Sequence, residues 1–144
     1  MTVGLKQRSV VTEIGPGGLL HSFFSTIALK LENGQWGSRF PTIMNDLYGG
    51  SIQSSQHDDA LRELKQIQQE LGMIGPDEVV WEIDDPDVPP PWGTEVGPHV
   101  TSMAHYYVTV TGRNLIGEIF DNLASLKEFG GTLDLVSYNG APGI

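Results

Sequence analysis

Residues 56–71 carry the feature that most restricts the fold of this chain, because their apolar side chains recur at the spacing of an α-helix. An apolar residue at every third or fourth position lines one face of a helix, and that face must be buried against other elements. The predicted buried stripe is Ala60, Leu61, Leu64, Ile67 and Leu71, and the residues predicted to face water are Arg62, Glu63, Lys65 and Glu70. Ser54 or Ser55 can cap the start of this helix, and Gly72 can end it.

The same kind of pattern predicts the other elements. Helices are predicted over 19–31, 41–47 and 115–126, and strands over 3–13, 78–84, 106–110 and 132–138. Within the second of these strands, Val79, Trp81 and Ile83 share the face that we expect to be buried. Because strands and helices do not alternate regularly, the order predicts a single α+β domain over residues 1–138, followed by a flexible tail over 139–144. We expect a small, mainly antiparallel or mixed sheet of about three to five strands, packed with about four helices.

The chain is strongly acidic, and the excess charge lies in its second half. It contains 18 acids and 8 bases, for a net charge of −10. Residues 1–72 hold seven acids and six bases, a net of −1, whereas residues 73–144 hold eleven acids and two bases, a net of −9. Such a field repels nucleic acid and anionic membranes and attracts basic partners, although acidity can also serve solubility alone.

The densest charge lies in residues 77–87, which contain six acids and no base. Prolines at 86, 89, 90 and 91 restrict the backbone here, so less entropy is lost when a partner grips the segment. Trp92 follows, either as an aromatic anchor in an interface or as a lid on the core. The residues that we predict to contact a partner are Glu78, Glu82, Asp84, Asp85, Asp87, Trp92 and Glu95.

Motifs for a cofactor, a metal ion or catalysis are not found. Gly15-x-Gly17 follows a predicted strand, but the third glycine of a dinucleotide-binding turn is replaced by Leu20, so a tight turn explains it. The four histidines lack metal-ligand spacing, and there is no cysteine. An EF-hand loop starting at Asp85 would place Pro90 and Val96 where glycine and glutamate are required. We therefore expect no cofactor, no metal and no catalytic residue.

Two other functions stay open from the residues alone. The chain could be a small enzyme or ligand-binding protein with a pocket near His99, His105 and Tyr106, or an acidic adaptor that binds loosely. The sequence has no long apolar run of the kind that spans a membrane, no secretory signal at its start and no cysteine, which favours a cytoplasmic protein.

Much of the chain, from about residue 3 to residue 125, resembles the immunity protein 70 family of bacterial polymorphic toxin and contact-dependent inhibition systems. The resemblance is carried by the blocks LHSFFSTIALKLENGQWGSRFPTIMNDLYGG and ALRELKQIQQELGMIGPDEVVWEIDD. Its most specific elements are W-G-x-x-F-P at Trp36–Pro41, V-V-W at Val79–Trp81 and Pro91-Trp92-Gly93.

The resemblance implies a non-enzymatic inhibitor that is made beside a toxin and binds it tightly in the cytoplasm. It brings no catalytic residues to transfer. A toxin that acts on nucleic acid needs a basic active site, so an inhibitor that covers such a site should be anionic. The acidic segment and this implication agree, and the hypothesis is an immunity protein that occludes a basic nuclease.

Overall fold

A β-hairpin at the start of the chain forms half of a four-stranded sheet in the computed structural model, which describes residues 2–91, 93, 97–98 and 100–138. The strands are β1 (Thr2–Gln7), β2 (Val10–Pro16), β3 (Ser51–Gln53) and β4 (Thr132–Tyr138). Their order in the sheet is β2-β1-β4-β3, and every neighbouring pair is antiparallel. The expected small antiparallel sheet is therefore confirmed, with β2 and β3 at its edges.

The predicted single strand over residues 3–13 is wrong, because the chain reverses in the middle of it. Arg8 has a φ of 58°, in the left-handed region, and β2 pairs back onto β1 from Val10 onward. Tight hairpin turns need such a positive φ, which glycine or asparagine usually supplies. With arginine at this position, the sequence gives no turn signal.

Three long helices surround the core together with the sheet. They are α1 (Gly17–Leu31), α2 (His57–Leu71) and α3 (Leu115–Phe129), and a short π-helix spans Thr42–Leu47. Single 3-10 turns lie at Ser54–Gln56, Pro76–Glu78 and Met103–His105. Helices α1 and α3 contact the sheet, and α2 packs against α1, α3 and the π-helix. This arrangement confirms the α+β class and the expected number of helices.

The apolar stripe of α2 is confirmed, with Ala60, Leu64, Ile67 and Leu71 buried and Leu61 half-buried. The prediction that Glu63 faces water is wrong. Its side chain is buried, and its carboxylate accepts hydrogen bonds from the backbone N–H groups of Thr42 and Ile43. The first N–H groups of a helix have no partner within the helix, so a buried carboxylate there is stabilised and stabilises the π-helix in turn.

The predicted cap of α2 is also wrong. Ser54 and Ser55 lie inside the 3-10 turn that precedes the helix. The start of this turn is closed by Gln56, whose side-chain oxygen accepts the N–H of Gln53 at 2.9 Å. The capping interaction therefore comes from a glutamine inside the turn, reaching back as in a capping box.

The predicted strand over residues 78–84 is wrong, and the face predicted to be buried is only half-buried. The chain leaves the 3-10 turn at Glu78 and runs on without a neighbouring strand. Val80 is buried, whereas Val79, Trp81 and Ile83 are only half-buried. Val79 and Ile83 pack against the core without being fully buried, and on the opposite face Val80 is the buried residue.

Val80 is held by the side chains of α1 where a strand would be held by another backbone. Ser22 donates to its carbonyl at 2.7 Å, and its own N–H donates to the Thr26 hydroxyl at 2.9 Å. The Tyr107 hydroxyl lies 2.9 Å from the Ser22 oxygen and 2.8 Å from the Thr26 oxygen. One set of directions uses each proton once: Val80 N–H to Thr26, Thr26 to Tyr107, Tyr107 to Ser22, and Ser22 to the Val80 carbonyl. We call this closed circuit the Val80 ring.

The predicted strand over residues 106–110 is likewise wrong. The segment makes a single antiparallel bridge, between Val108 and Asn114, because the chain turns back at once. The turn is closed by the Thr109 N–H, which donates to the Arg113 carbonyl at 2.8 Å. Burial still alternates here, with Tyr107 and Thr109 inside and Val108 and Val110 exposed.

The Val80 ring predicts different results for two serines on the same helix. Ser22 and Ser25 are both fully buried, but the Ser25 hydroxyl has no hydrogen-bond partner. Ser22→Ala should lower the free energy of unfolding by about 1–3 kcal/mol, because it leaves buried polar groups of the ring unsatisfied. Ser25→Ala should leave it unchanged or raise it, since only an unpaired hydroxyl is removed.

Urea unfolding of both variants measures the two changes with the same chemistry at matched burial. Equal losses of stability in the two variants would contradict the ring, because they would show that the hydroxyl at position 22 contributes no more than the unpaired one.

Candidate protein-binding surface

Residues 77–87, which we call the acidic arm, are anchored by one buried residue within the arm and by another just beyond it. Val80 is 2% exposed, and Pro90, just beyond the arm, is buried again. Between Val80 and Pro90 the chain makes two successive reverse turns. In the first, the Asp85 N–H donates a hydrogen bond to the Glu82 carbonyl, and in the second the Val88 N–H donates to the Asp85 carbonyl, both at 3.1 Å. The arm is therefore a short projecting loop fixed at both ends.

The first side-chain tether of the arm is a hydrogen-bonded chain from Glu82 to α1. A carboxylate oxygen of Glu82 lies 2.6 Å from Nε2 of His21, and Nδ1 of the same ring lies 2.7 Å from the hydroxyl of Tyr48. The hydrogen bond from His21 lowers the pKa of Glu82. Burial, followed by the nearby charge of Glu82, raises the pKa of Tyr48. Tyr48 thus keeps its proton and can donate it to Nδ1, which leaves the proton on Nε2 for Glu82.

Glu78 and Trp81 give two further attachments to α1. The carboxylate of Glu78 pairs with the ammonium of Lys30 at 2.8 Å. The ring of Trp81 lies over Gly18, so close that an added Cβ on Gly18 would come within 2.9 Å of it. Any side chain at position 18 would therefore push Trp81, and the start of the arm with it, away from the helix.

The remaining acids of the arm point into solvent. Asp77, Asp84, Asp85 and Asp87 are all exposed, and no base lies within residues 77–87. Of the six acids, Glu78 and Glu82 pair with residues of α1, and the other four present their charge to solvent. Three of those four follow one another along the two reverse turns.

The loop before the π-helix is built around a second buried carboxylate. Glu32 is 3% exposed, and it accepts hydrogen bonds from the backbone N–H groups of Gly37, Arg39 and Phe40, each at 3.0 Å. The indole N–H of Trp36 donates to the Met44 carbonyl at 2.9 Å. The W-G-x-x-F-P element is thus a loop wrapped around a carboxylate, and these contacts are structural.

The sequence-predicted site residues are only partly brought together. Trp92, Glu95 and His99 lie outside the described residues. His105 is exposed on the Met103–His105 turn, and no described carboxylate lies within ion-pair distance of its ring. Tyr106 is half-buried beside Tyr107, with ring centroids 5.0 Å apart.

Within residues 2–91, 93, 97–98 and 100–138, no group of three or more histidine, aspartate or glutamate side chains is arranged to hold a metal ion. In the same part of the chain, none of the helices has both the length and the apolar character needed to cross a membrane.

Sequence reasoning missed His21, the residue that links the arm to the helix. Its partner Glu82 is 61 positions away, and no local spacing relates the two. The sequence also does not reveal the buried carboxylates of Glu32 and Glu63, because glutamate is a residue that ordinarily faces water.

Comparison with known proteins places the chain in a family. The family model for immunity protein 70 matches residues 5–135, a range that contains both the loop around Glu32 and the acidic arm. No curated protein and no solved structure shows significant similarity to the chain.

The tether through His21 predicts that the arm loosens when this ring is removed. His21→Ala should speed amide hydrogen exchange at Asp84 and Asp85 severalfold, while amides in the middle of α2 keep their rates. His105→Ala, at an exposed histidine that makes none of the side-chain contacts described for the arm, is the matched control and should leave the arm unchanged. The tether also depends on pH, because the hydrogen bond from His21 lowers the pKa of Glu82 in the folded chain. Its stabilisation is fully present above the unfolded pKa of this carboxyl, and it is lost as the pH falls through the folded pKa. Equal exchange in the two variants at neutral pH would show that the tether does not hold the arm.

Proposed function

The chain belongs to the immunity protein 70 family, and we propose that it binds and neutralises a cognate antibacterial toxin by means of the acidic arm. The observation that carries this proposal is the pairing of exposed charge with a fixed backbone. Asp84, Asp85 and Asp87 face solvent on two reverse turns, and the chain on either side of them is buried.

A fixed loop binds a partner at a lower entropic cost than a mobile one. The arm is attached through the Val80 ring, the Glu82–His21 pair and the Glu78–Lys30 pair. Ordering a loop or a long side chain on binding costs free energy, so a loop that is already ordered retains more of its interaction energy as affinity. This supports the arm as a recognition element.

The partner that fits the arm is a protein with a basic surface. The negative charge of the acidic arm attracts a cationic partner and raises the rate of encounter. A toxin that cleaves RNA or DNA must bind phosphates, for which it uses lysine and arginine. We therefore propose a nuclease toxin whose active site is covered by the arm, with the aspartate carboxylates in the places where substrate phosphates would lie.

The two paired acids have a different proposed role from the exposed ones. Glu78 and Glu82 already have partners on α1, so we assign them to holding the arm in place. Asp84, Asp85 and Asp87 are assigned to direct contact with the toxin. Trp92 and Glu95 remain proposed contacts that lie outside the described residues.

Inhibition of this kind needs no catalysis. We propose that the chain acts as a non-enzymatic inhibitor in the cytoplasm of the cell that makes the toxin, with neither nucleic acid nor membrane as a partner. Its net charge of −10 supports the exclusion of anionic partners.

The prediction concerns the triple variant Asp84→Asn, Asp85→Asn, Asp87→Asn. Its association rate constant for the purified toxin encoded beside the chain's gene should fall about tenfold or more at low ionic strength, because steering by the arm is lost. The difference from the unmodified protein should shrink in 1 M salt, where the Debye length is about 3 Å. Stopped-flow or surface-based kinetics across ionic strength measures both.

The control is a second triple variant, Asp46→Asn, Asp58→Asn, Asp59→Asn, which removes the same charge from exposed aspartates outside the arm. Equal effects of the two triples would mean that net charge, not the arm, steers the toxin. Unchanged kinetics in the arm variant at low salt would remove the arm from the interface, and absence of any complex with the toxin would refute the immunity function.

A further inference from the structure

A cleft of about 260 Å³ lies between the β1–β2 hairpin and helix α3. Gln7 forms part of its lining, where the side-chain amide donates to the backbone carbonyl and the side-chain oxygen of Asn122 at 2.8 and 2.9 Å. Val10 and Thr12 line it on the hairpin side, and Phe129 lines it at the end of α3. The cleft belongs to neither the arm nor the loop around Glu32.

Exposed apolar side chains are concentrated along this side of the molecule. Of seven large apolar residues that are exposed in the described part of the chain, four lie on or beside β2 or at the cleft: Val10, Val11, Val110 and Phe129. Val10 is 66% exposed and Phe129 is 55% exposed. A cluster of exposed apolar residues beside polar groups is typical of a surface that binds another protein.

Strand β2 is at the edge of the sheet, with β1 as its only neighbouring strand. The outer side of an edge strand presents N–H and C=O groups to which another chain can pair. The carbonyl of Ile14 already accepts a hydrogen bond from the Val110 N–H at 2.9 Å, so the outer side of β2 has a partner at its C-terminal end. From Val10 to Glu13, no hydrogen bond from another described residue occupies the outer side of the strand, so an incoming segment can pair there.

The charge of the cleft favours a basic partner. Glu118 and Asp121 project from successive turns of α3 into the lining. Arg8 is drawn over the ring of Phe129, with its guanidinium carbon 5.0 Å from the ring centroid. Arg113 approaches Glu118 only to 3.6 Å and is largely exposed, so it screens that carboxylate weakly. An incoming lysine or arginine would find its stem against apolar side chains and its charge against a carboxylate.

This surface is continuous with the acidic arm. Val110 lies against Gly15, where an added Cβ would come within 3.0 Å of the valine side chain, and Trp81 lies against Gly18. The open edge and the base of the arm therefore meet at the start of α1, and one partner can contact both.

We propose that the outer edge of β2 and the adjoining cleft form a second contact surface for the same toxin. Its occupant is an extended segment of the toxin that pairs with β2 over Val10–Glu13 and places a lysine or arginine side chain beside Asp121. This inference rests on the proposed function, because it assumes that the partner is the basic toxin.

The test uses amide hydrogen exchange and affinity together, with the full chain and the purified toxin encoded beside its gene. Exchange at Val11 and Glu13 should slow on complex formation if a strand adds to the edge. Asp121→Lys should weaken toxin affinity at least tenfold, whereas Asp46→Lys, with the same change of charge at an exposed position outside the cleft, should not. Circular dichroism checks that both variants fold.

Several outcomes overturn the inference without touching the proposed function. Unchanged exchange along β2 in a complex that forms normally would leave the arm alone as the interface. Equal effects of Asp121→Lys and Asp46→Lys would mean that toxin affinity depends on the net charge of the chain and not on the cleft. Slower exchange along β2 that depends on the concentration of the free chain, and not on the toxin, would assign the edge to a second copy. Failure of the chain to bind the toxin at all would instead refute the proposed function.

Discussion

The peptide group of Val80 is satisfied by hydroxyl side chains, and the placement of the second half of the molecule depends on this. Ser22 and Thr26 are four residues apart on α1, so both hydroxyls lie on the same side of the helix. They take the N–H and the carbonyl of one residue, and Tyr107 closes the circuit. A closed set of buried hydrogen bonds has no unsatisfied member and is strengthened by mutual polarisation. Three segments far apart in sequence thus meet at one point.

The helices could be predicted from the sequence because their signal is local. The apolar stripe of residues 60–71 repeats within a single segment. The signal that ends α3 is local as well, because Gly130 follows the last residue of that helix directly. The strands over 78–84 and 106–110 were predicted from β-branched residues in alternation, which is only half of what a strand requires. A strand also needs a backbone beside it, and here the neighbours of Val80 are side chains whose presence no periodicity reveals.

The candidate surface could be predicted in composition but not in detail. The run of acids is visible in the sequence, whereas its division into paired and exposed carboxylates depends on His21 and Lys30, which lie on a distant helix. The buried glutamates show the same limit. Glu32 and Glu63 look like surface residues in the sequence. Glu32 accepts backbone N–H groups from the loop that follows it, whereas Glu63 accepts them from the start of the π-helix, about 20 residues earlier in the chain.

The separation between the residues that hold the arm and the residues that it displays has a consequence for evolution. Because Asp84, Asp85 and Asp87 project from a loop whose position is fixed by other side chains, they can be exchanged with little cost to folding. Substitution of His21, Ser22 or Thr26 would instead remove contacts that fix the loop. Under the proposed function, the positions open to change for a new toxin are therefore different from those on which the placement of the loop depends.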